Sequence, residues 1–236
     1  ERAIAGAPDD AVIHFRLGDT LARLGELDAA AAQLHAAIAR RAGYAAAHAR
    51  LADVLLARDT GAEKALAVGK SADEGPDVVD PATTVEAAVE AARLAVALEG
   101  QRADHWRALG VALRAQGALA EAIGALRRAH ELDPESPQIA FLLGLALLEQ
   151  NDPAAAIPPL SAAVNAAPEM AAYHGQLGVA QRSMAPLLGE PDELRTAGAS
   201  RRAALTPARR SLQKAVALDD TSARWWYELG LVDQQA

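Results

Sequence analysis

Two stretches of equal length decide the fold, WRALGVALRAQGALAEAIGALRRAHELDP at 106–134 and AFLLGLALLEQNDPAAAIPPLSAAVNAAP at 140–168. Each has a Leu-Gly pair near its start, and the pair at 109–110 recurs at 143–144 and at 177–178, at a spacing of 34 residues. A fixed spacing of this size predicts an array of structural repeats. The interval from Leu51 to Leu109 is 24 residues too long and that from Leu177 to Leu229 is 18 too long, which predicts two insertions.

The residues inside one period identify the kind of repeat. In 103–136 they are Trp106, Leu109, Gly110, Leu113, Gly117, Ala122, Leu126, Ala129 and Pro134. This pattern resembles the tetratricopeptide repeat, with leucine at two places where that family has an aromatic residue. The resemblance implies an all-α fold, a right-handed α-solenoid of stacked antiparallel helix pairs, in which each repeat supplies a helix A and a helix B.

Side-chain spacing within the repeat agrees with two helices. Leu109 and Leu113, like Ala122 and Leu126, are four residues apart and form apolar stripes on helices predicted at about 104–116 and 119–132. Gly117 allows a tight turn between these helices, and Pro134 stops the second one. A single pair cannot bury both of its faces, so neighbouring pairs must stack.

The period divides the chain into one predicted solenoid. A preceding repeat ends in 1–10, and a further first helix occupies 223–236. Five repeats lie between them, at 11–44, 45–102, 103–136, 137–170 and 171–222.

Both insertions, at about 59–82 and 185–203, fall in the turn between helices A and B. Partner contact and a tolerated spacer are both open for them, because loop entropy grows slowly with length. The first contains Gly69-Lys70-Ser71, which looks like the end of a phosphate-binding loop. The first glycine of that motif is absent, since Lys64 stands in its place, and no strand pattern precedes it. We therefore interpret the stretch as part of the insertion.

Composition excludes several classes of protein. A net charge of −8 argues against general nucleic-acid binding, and the basic residues between Arg195 and Lys214 are interpreted as solvated helix faces. The chain has no cysteine, so disulfides and thiolate metal sites are excluded. Direct membrane insertion is not expected, since no long apolar segment free of charge occurs. Catalytic motifs are also absent, and we expect neither an enzyme nor a cofactor.

The family resemblance implies where binding residues lie. In such arrays the concave face carries helix A positions 2, 5, 9 and 12, with 6 and 13 at its margins. The resulting groove is polar in its early part and apolar with flanking arginines in its later part, although Phe141 and Leu145 could instead pack on the next helix. The predicted groove residues are Phe15, Arg16, Asp19, Arg50, Asp53, Arg107, Val111, Arg114, Phe141, Leu145, Leu148, Val179, Arg182 and Tyr227.

Position 4 carries large or polar side chains that we interpret as structural. Trp106 and Trp226 are expected to wedge between the two helices of their repeats. His14, His48 and His174 occupy the same position, and we expect them at the edge of the core and not on a metal, because no partner ligand is in register.

The leading hypothesis is a non-enzymatic scaffold that binds a peptide or helix of a protein partner, or of another part of a longer chain, and assembles a complex. A recruitment domain of a larger enzyme, such as a transferase, and an envelope or secretion scaffold subunit are the alternatives. The expected compartment is the cytoplasm, or the periplasm if a signal precedes residue 1.

Overall fold

The computed structural model describes residues 11–67, 81–184 and 194–235, and within them α-helices joined by short turns are the regular structure. Eleven helices and no strand occur in these ranges, which confirms the predicted all-α class. The helices are α1 Ala11–Arg23, α2 Leu27–Arg40, α3 Ala45–Ala67, α4 Pro81–Leu98, α5 Ala103–Ala115, α6 Leu119–Leu132, α7 Pro137–Glu149, α8 Pro153–Ala166, α9 Ala171–Met184, α10 Leu194–Leu218 and α11 Ala223–Gln235.

Consecutive helices pack in pairs, namely α1 with α2, α3 with α4, α5 with α6, α7 with α8, and α9 with α10. Where only three residues join the members of a pair, the helices must run antiparallel to pack side by side. The predicted helices of 103–136 are correct to within one residue at each end.

The chain divides into two compact units, Glu1–Leu132 and Asp133–Ala236. The described part of the first unit contains α1 to α6 around one alanine- and leucine-rich core, which includes Leu51, Val54 and Leu113. The second unit contains α7 to α11, with core clusters around Tyr173 and around Leu205 and Leu212.

A glycine of helix A and a leucine of helix B determine how closely the helices of a pair approach. A Cβ atom placed on Gly110 would lie 2.5 Å from Cγ of Leu126, and one on Gly144 would lie 2.5 Å from Cγ of Leu160. Gly18 and Gly178 meet their leucines in the same way. The recurring Leu-Gly pair therefore exists because the glycine leaves room for a fully buried leucine.

The turn between helices A and B needs a left-handed residue. Gly25 and Gly117 have φ of 82° and Asn151, at the equivalent place, has φ of 62°. Glycine adopts this conformation without strain, and asparagine is among the residues that tolerate it.

Helix α3 continues past the position at which the A helices α1, α5 and α7 end. Asp59 stands at the turn position, and α3 extends to Ala67, so the first part of the predicted insertion is helical. Residues 68–80, which include the Gly69-Lys70-Ser71 stretch, lie outside the described residues, as do 185–193 and 1–10.

Position 4 of helix A anchors the preceding turn. Nε2 of His48 lies 2.9 Å from the carbonyl oxygen of Ala42, and Nε1 of Trp106 donates to that of Gly100 at 2.8 Å, six residues earlier in each case. His174 and Trp226 make the same contact with Pro168 and Asp220. His48 and His174 are thus buried residues that hold the preceding turn, while buried His14 has its Nδ1 2.8 Å from Oε1 of Gln33 instead.

Within the described residues α11 has no helix B beside it, so the wedge interpretation stays a prediction for Trp226. Its side chain is 53% exposed, while the neighbouring Trp225 is buried. Trp225 lies over Gly175 of α9, where a Cβ atom would meet the indole ring at 2.5 Å. The glycine leaves space for the indole ring of Trp225, at position 3 of α11, and this tryptophan is therefore the buried one.

Candidate binding groove

Helices α1, α3 and α5 of the first unit line a concave cavity of about 520 Å³, here called the A-helix cavity. It brings together five of the predicted groove residues, namely Phe15, Asp19, Arg50, Asp53 and Arg107. They come from three successive repeats, because equivalent positions of stacked helices face the same side.

A ladder of ion pairs runs across the floor of this cavity from helix to helix. Nε of Arg50 in α3 lies 2.8 Å from Oδ1 of Asp19 in α1. Arg107 in α5 donates two hydrogen bonds to Asp53 in α3, at 3.3 and 2.8 Å. Arg50 and Asp53 are 3.9 Å apart on the same helix, so the four charges form one alternating row.

Arg107 is the most strongly engaged of these cations. Burial acts to lower its pKa, while the hydrogen bond to Asp53 and the charges of Asp53 and Asp104 act to raise it, and the net pKa lies above the ordinary value for arginine. The guanidinium is therefore a permanent charge, held in place by a bidentate pair.

Phe15 supplies an apolar contact beside the ladder. Its ring lies 5.1 Å from that of Tyr44, centroid to centroid, and the tyrosine ring is also covered by the guanidinium of Arg41. Ala46 and Ala49 of α3 also contribute apolar atoms, so the lining of the cavity offers apolar as well as charged contacts.

Six further lining residues were not in the predicted set. Four of them stand at helix A positions that the family resemblance assigns to the concave face, so they could have been predicted. These are Ala46 and Asp104 at position 2, Ala49 at position 5 and Arg23 at position 13. Arg102 and His105 could not have been predicted from these positions, because Arg102 precedes helix α5 and His105 stands at a helix position not assigned to the concave face. The six are Arg23, Ala46, Ala49, Arg102, Asp104 and His105.

Three predicted residues of the first unit lie away from this lining. Arg16 is exposed on α1, and Val111 packs against the core of its unit. Arg114 is partly buried near the end of α5.

The predicted residues of the second unit are partly committed to internal contacts. Phe141 of α7 packs on Tyr173 of α9, with ring centroids 4.5 Å apart, which supports the packing alternative for this residue. Arg182 lies 3.0 Å from Glu228 of α11, and both are largely buried. Tyr227 is 66% exposed, whereas Leu145, Leu148 and Val179 are half-buried.

These contacts suit binding by shape, charge and apolar contact. Among the described residues, no group of three or more histidine, aspartate or glutamate side chains is arranged to hold a metal ion. Across the same residues, no helix combines the length and the apolar character that crossing a membrane requires.

An all-helical array of paired helices with a concave, charged face on its first helices defines an α-helical repeat protein. Tetratricopeptide-repeat family models match residues 15–78, 110–151 and 141–185, together more than half of the sequence. The chain therefore belongs to the tetratricopeptide-repeat family.

Solved structures agree with this assignment. YrrB, described as a TPR protein with an unusual peptide-binding site, has a TM-score of 0.60 and 17% identity, over 96% of this chain and 95% of its own. A thermophilic TPR protein of Thermus thermophilus has a TM-score of 0.58 and 18% identity, over 95% and 99%. MamA has a TM-score of 0.58 and 16% identity, over 91% and 94%. At these identities the similarity shows the fold alone, which is that of the tetratricopeptide α-solenoids.

No curated protein sequence matches the chain.

Proposed function

We propose that this chain is a non-enzymatic scaffold that binds a peptide or helix of a protein partner and holds it in an assembly. The observation that carries the proposal is the A-helix cavity, in which residues of three repeats converge on one concave surface. That YrrB is described as having a peptide-binding site supports the capacity of this fold to hold a peptide.

The chemistry of the cavity favours a segment with both charged and apolar side chains. The central charges Asp19, Arg50, Asp53 and Arg107 already neutralise each other. A carboxylate of the ligand would have to displace an aspartate from its arginine. The ladder therefore favours one orientation of a bound peptide and does not attract ligands of one charge sign. Phe15 beside it offers an aromatic anchor, a residue type that dominates binding energy when a partner covers it.

A peptide library tests the proposal without knowledge of the natural partner. Twelve-residue random peptides are selected on the chain, and the tightest are measured by isothermal titration against variants. The variant F15A removes the aromatic anchor, and R23E with R102E reverses two exposed charges of the lining. Each is expected to weaken the selected peptides at least about tenfold.

The matched control reverses two arginines on helices B. Arg93 of α4 and Arg127 of α6 are exposed, and R93E with R127E makes the same change in net charge. Selected peptides that bind F15A and R23E/R102E as tightly as the unaltered chain would refute binding in this cavity. The variant F141E with L145R tests the second unit separately, and unchanged peptide binding would remove those residues from the groove.

A further inference from the structure

Helix α10 differs in charge from all the others. It contains six basic and no acidic residues, whereas each of the other ten helices carries a net charge between −1 and +1. The whole chain carries −8. Packing within a repeat does not require a basic helix B, because the equivalent helix α8 contains no charged residue.

The basic residues with described side chains lie on the side of α10 that faces away from the core. Leu205, Ala208 and Leu212 are buried on the inner side. The exposed basic side chains, here called the basic face, span about 18 Å along the helix axis at 1.5 Å per residue. They are Arg202, Arg209, Arg210 and Lys214.

A cleft between α10 and α11 adjoins the basic face. It encloses about 440 Å³, and Arg202, Arg209 and Thr206 lie on its α10 side. Buried Leu205 and Val232 contribute apolar atoms to its lining. Asp233 of α11 lies 3.0 Å from Nε of Arg209, so one carboxylate already occupies part of the site.

We propose that the basic face and its cleft form a second binding surface, separate from the A-helix cavity, for an acidic amphipathic helix of a partner protein. Glutamates of that helix pair with Arg202 and Arg209 in the way that Asp233 pairs with Arg209 now. An apolar side chain between the glutamates enters the cleft over Leu205 and Val232. Bidentate arginine–carboxylate pairs give such a contact its orientation.

Protein fits this surface better than nucleic acid or an anionic membrane does. Phosphate backbones have no apolar side chain for the cleft, and they favour long, uninterrupted basic surfaces. Here the basic face is short, and the carboxylate of Asp233 lies beside it, 3.0 Å from Nε of Arg209. A continuous polyanion would bring a phosphate against this carboxylate and nothing apolar into the cleft, whereas an amphipathic helix also brings apolar side chains.

The test measures binding of a 16-residue amidated peptide by fluorescence anisotropy in low salt. The peptide carries glutamates at helical spacings of three and four with leucines between them, and its counterpart has glutamine in place of glutamate. The glutamate peptide is expected to bind, and its affinity is expected to fall as salt rises. The glutamine peptide is expected to bind at least roughly tenfold more weakly.

Three variants locate the site. R202Q with R209Q is expected to lower the affinity for the glutamate peptide roughly tenfold, and R93Q with R127Q, which removes the same charge from α4 and α6, is expected to leave it unchanged. D233N removes the competing carboxylate and is expected to raise the affinity about threefold. Circular dichroism of each variant establishes that the helices remain formed.

Several results overturn the proposal. They are equal binding of the glutamate and glutamine peptides, equal loss in the two double variants, and a decreased affinity in D233N. Tighter binding of duplex DNA, or of vesicles rich in phosphatidylserine, than of the glutamate peptide would also overturn it, in favour of a phosphate-binding surface. If the variants of the A-helix cavity do not affect binding of the library peptides, the proposal for the basic face is not contradicted. The two proposals can therefore be refuted independently.

Discussion

Replacing Gly110 with alanine tests whether the recurring glycine is needed for close helix packing. The new Cβ atom would lie 2.5 Å from Cγ and 2.8 Å from Cδ2 of Leu126, and 3.3 Å from the carbonyl oxygen of Ala122. Ordinary carbon–carbon contacts are about 3.5–4.0 Å, so α5 and α6 would have to separate by roughly 1 Å or Leu126 would have to leave its rotamer. Overpacking of this kind costs about 1–3 kcal/mol.

Alanine also has an intrinsic advantage that must be subtracted. In a helix interior it is favoured over glycine by about 1 kcal/mol. The expected net loss for G110A is therefore between about 0 and 2 kcal/mol in the free energy of unfolding. Gly124 of the partner helix α6 provides the matched control, because its Cβ would meet no atom within 4 Å. G124A should gain about 1 kcal/mol, and the difference between the two variants isolates the packing cost.

Urea unfolding followed by far-UV circular dichroism measures both variants. The midpoint for G124A should rise and that for G110A should not. The double variant G110A/L126A adds a cycle, since the alanine methyl group should partly fill the space that the leucine vacates. If G110A raises the midpoint as much as G124A does, the glycine is not what permits the close approach.

Three further predictions concern single contacts. D53A leaves Arg107 half-buried without its partner and should lower the free energy of unfolding by about 1–3 kcal/mol in urea titrations; an unchanged midpoint would show that the ladder contributes nothing to stability. W106F removes the indole donor to the carbonyl oxygen of Gly100 and should cost about 1 kcal/mol in thermal unfolding. A wild-type melting temperature would contradict the anchoring role of position 4. D152A removes the side chain that accepts from the first turn of α8 and should cost about 1 kcal/mol, while D152N should retain most of the stability if capping is the cause.

Much of the fold can be predicted from the sequence because the same residue pattern, and with it the same set of contacts, recurs in several repeats. Gly117 predicts the turn, and the structure gives that residue the left-handed backbone that the turn needs. Position 4 is harder to interpret. A tryptophan at 106 and another at 226 look equivalent, yet burial at the start of α11 depends on Gly175 of a different helix.

The candidate site is predictable in its location and less so in its contacts. Repeat register alone places Asp53 and Arg107 on adjacent first helices. It does not determine that Arg107 donates from two of its guanidinium nitrogens to Asp53, since the rotamer depends on how the side chain is packed between the helices. For Phe141, register could not distinguish a binding residue from a packing one, because Tyr173 becomes its neighbour only when the repeats stack.

The second repeat departs from the glycine–leucine rule on both sides at once. Ala52 stands where the other repeats have the glycine, and Ala92 stands where they have the leucine, and both are fully buried. Helices B are thus not interchangeable parts. Transplanting the sequence of α6 in place of α4 would bring a leucine against a methyl group, whereas exchanging α6 with α8 would keep both pairings. Gain or loss of a complete repeat preserves each matched pair of residues. Recombination between the two helices of the second repeat would separate Ala52 from Ala92.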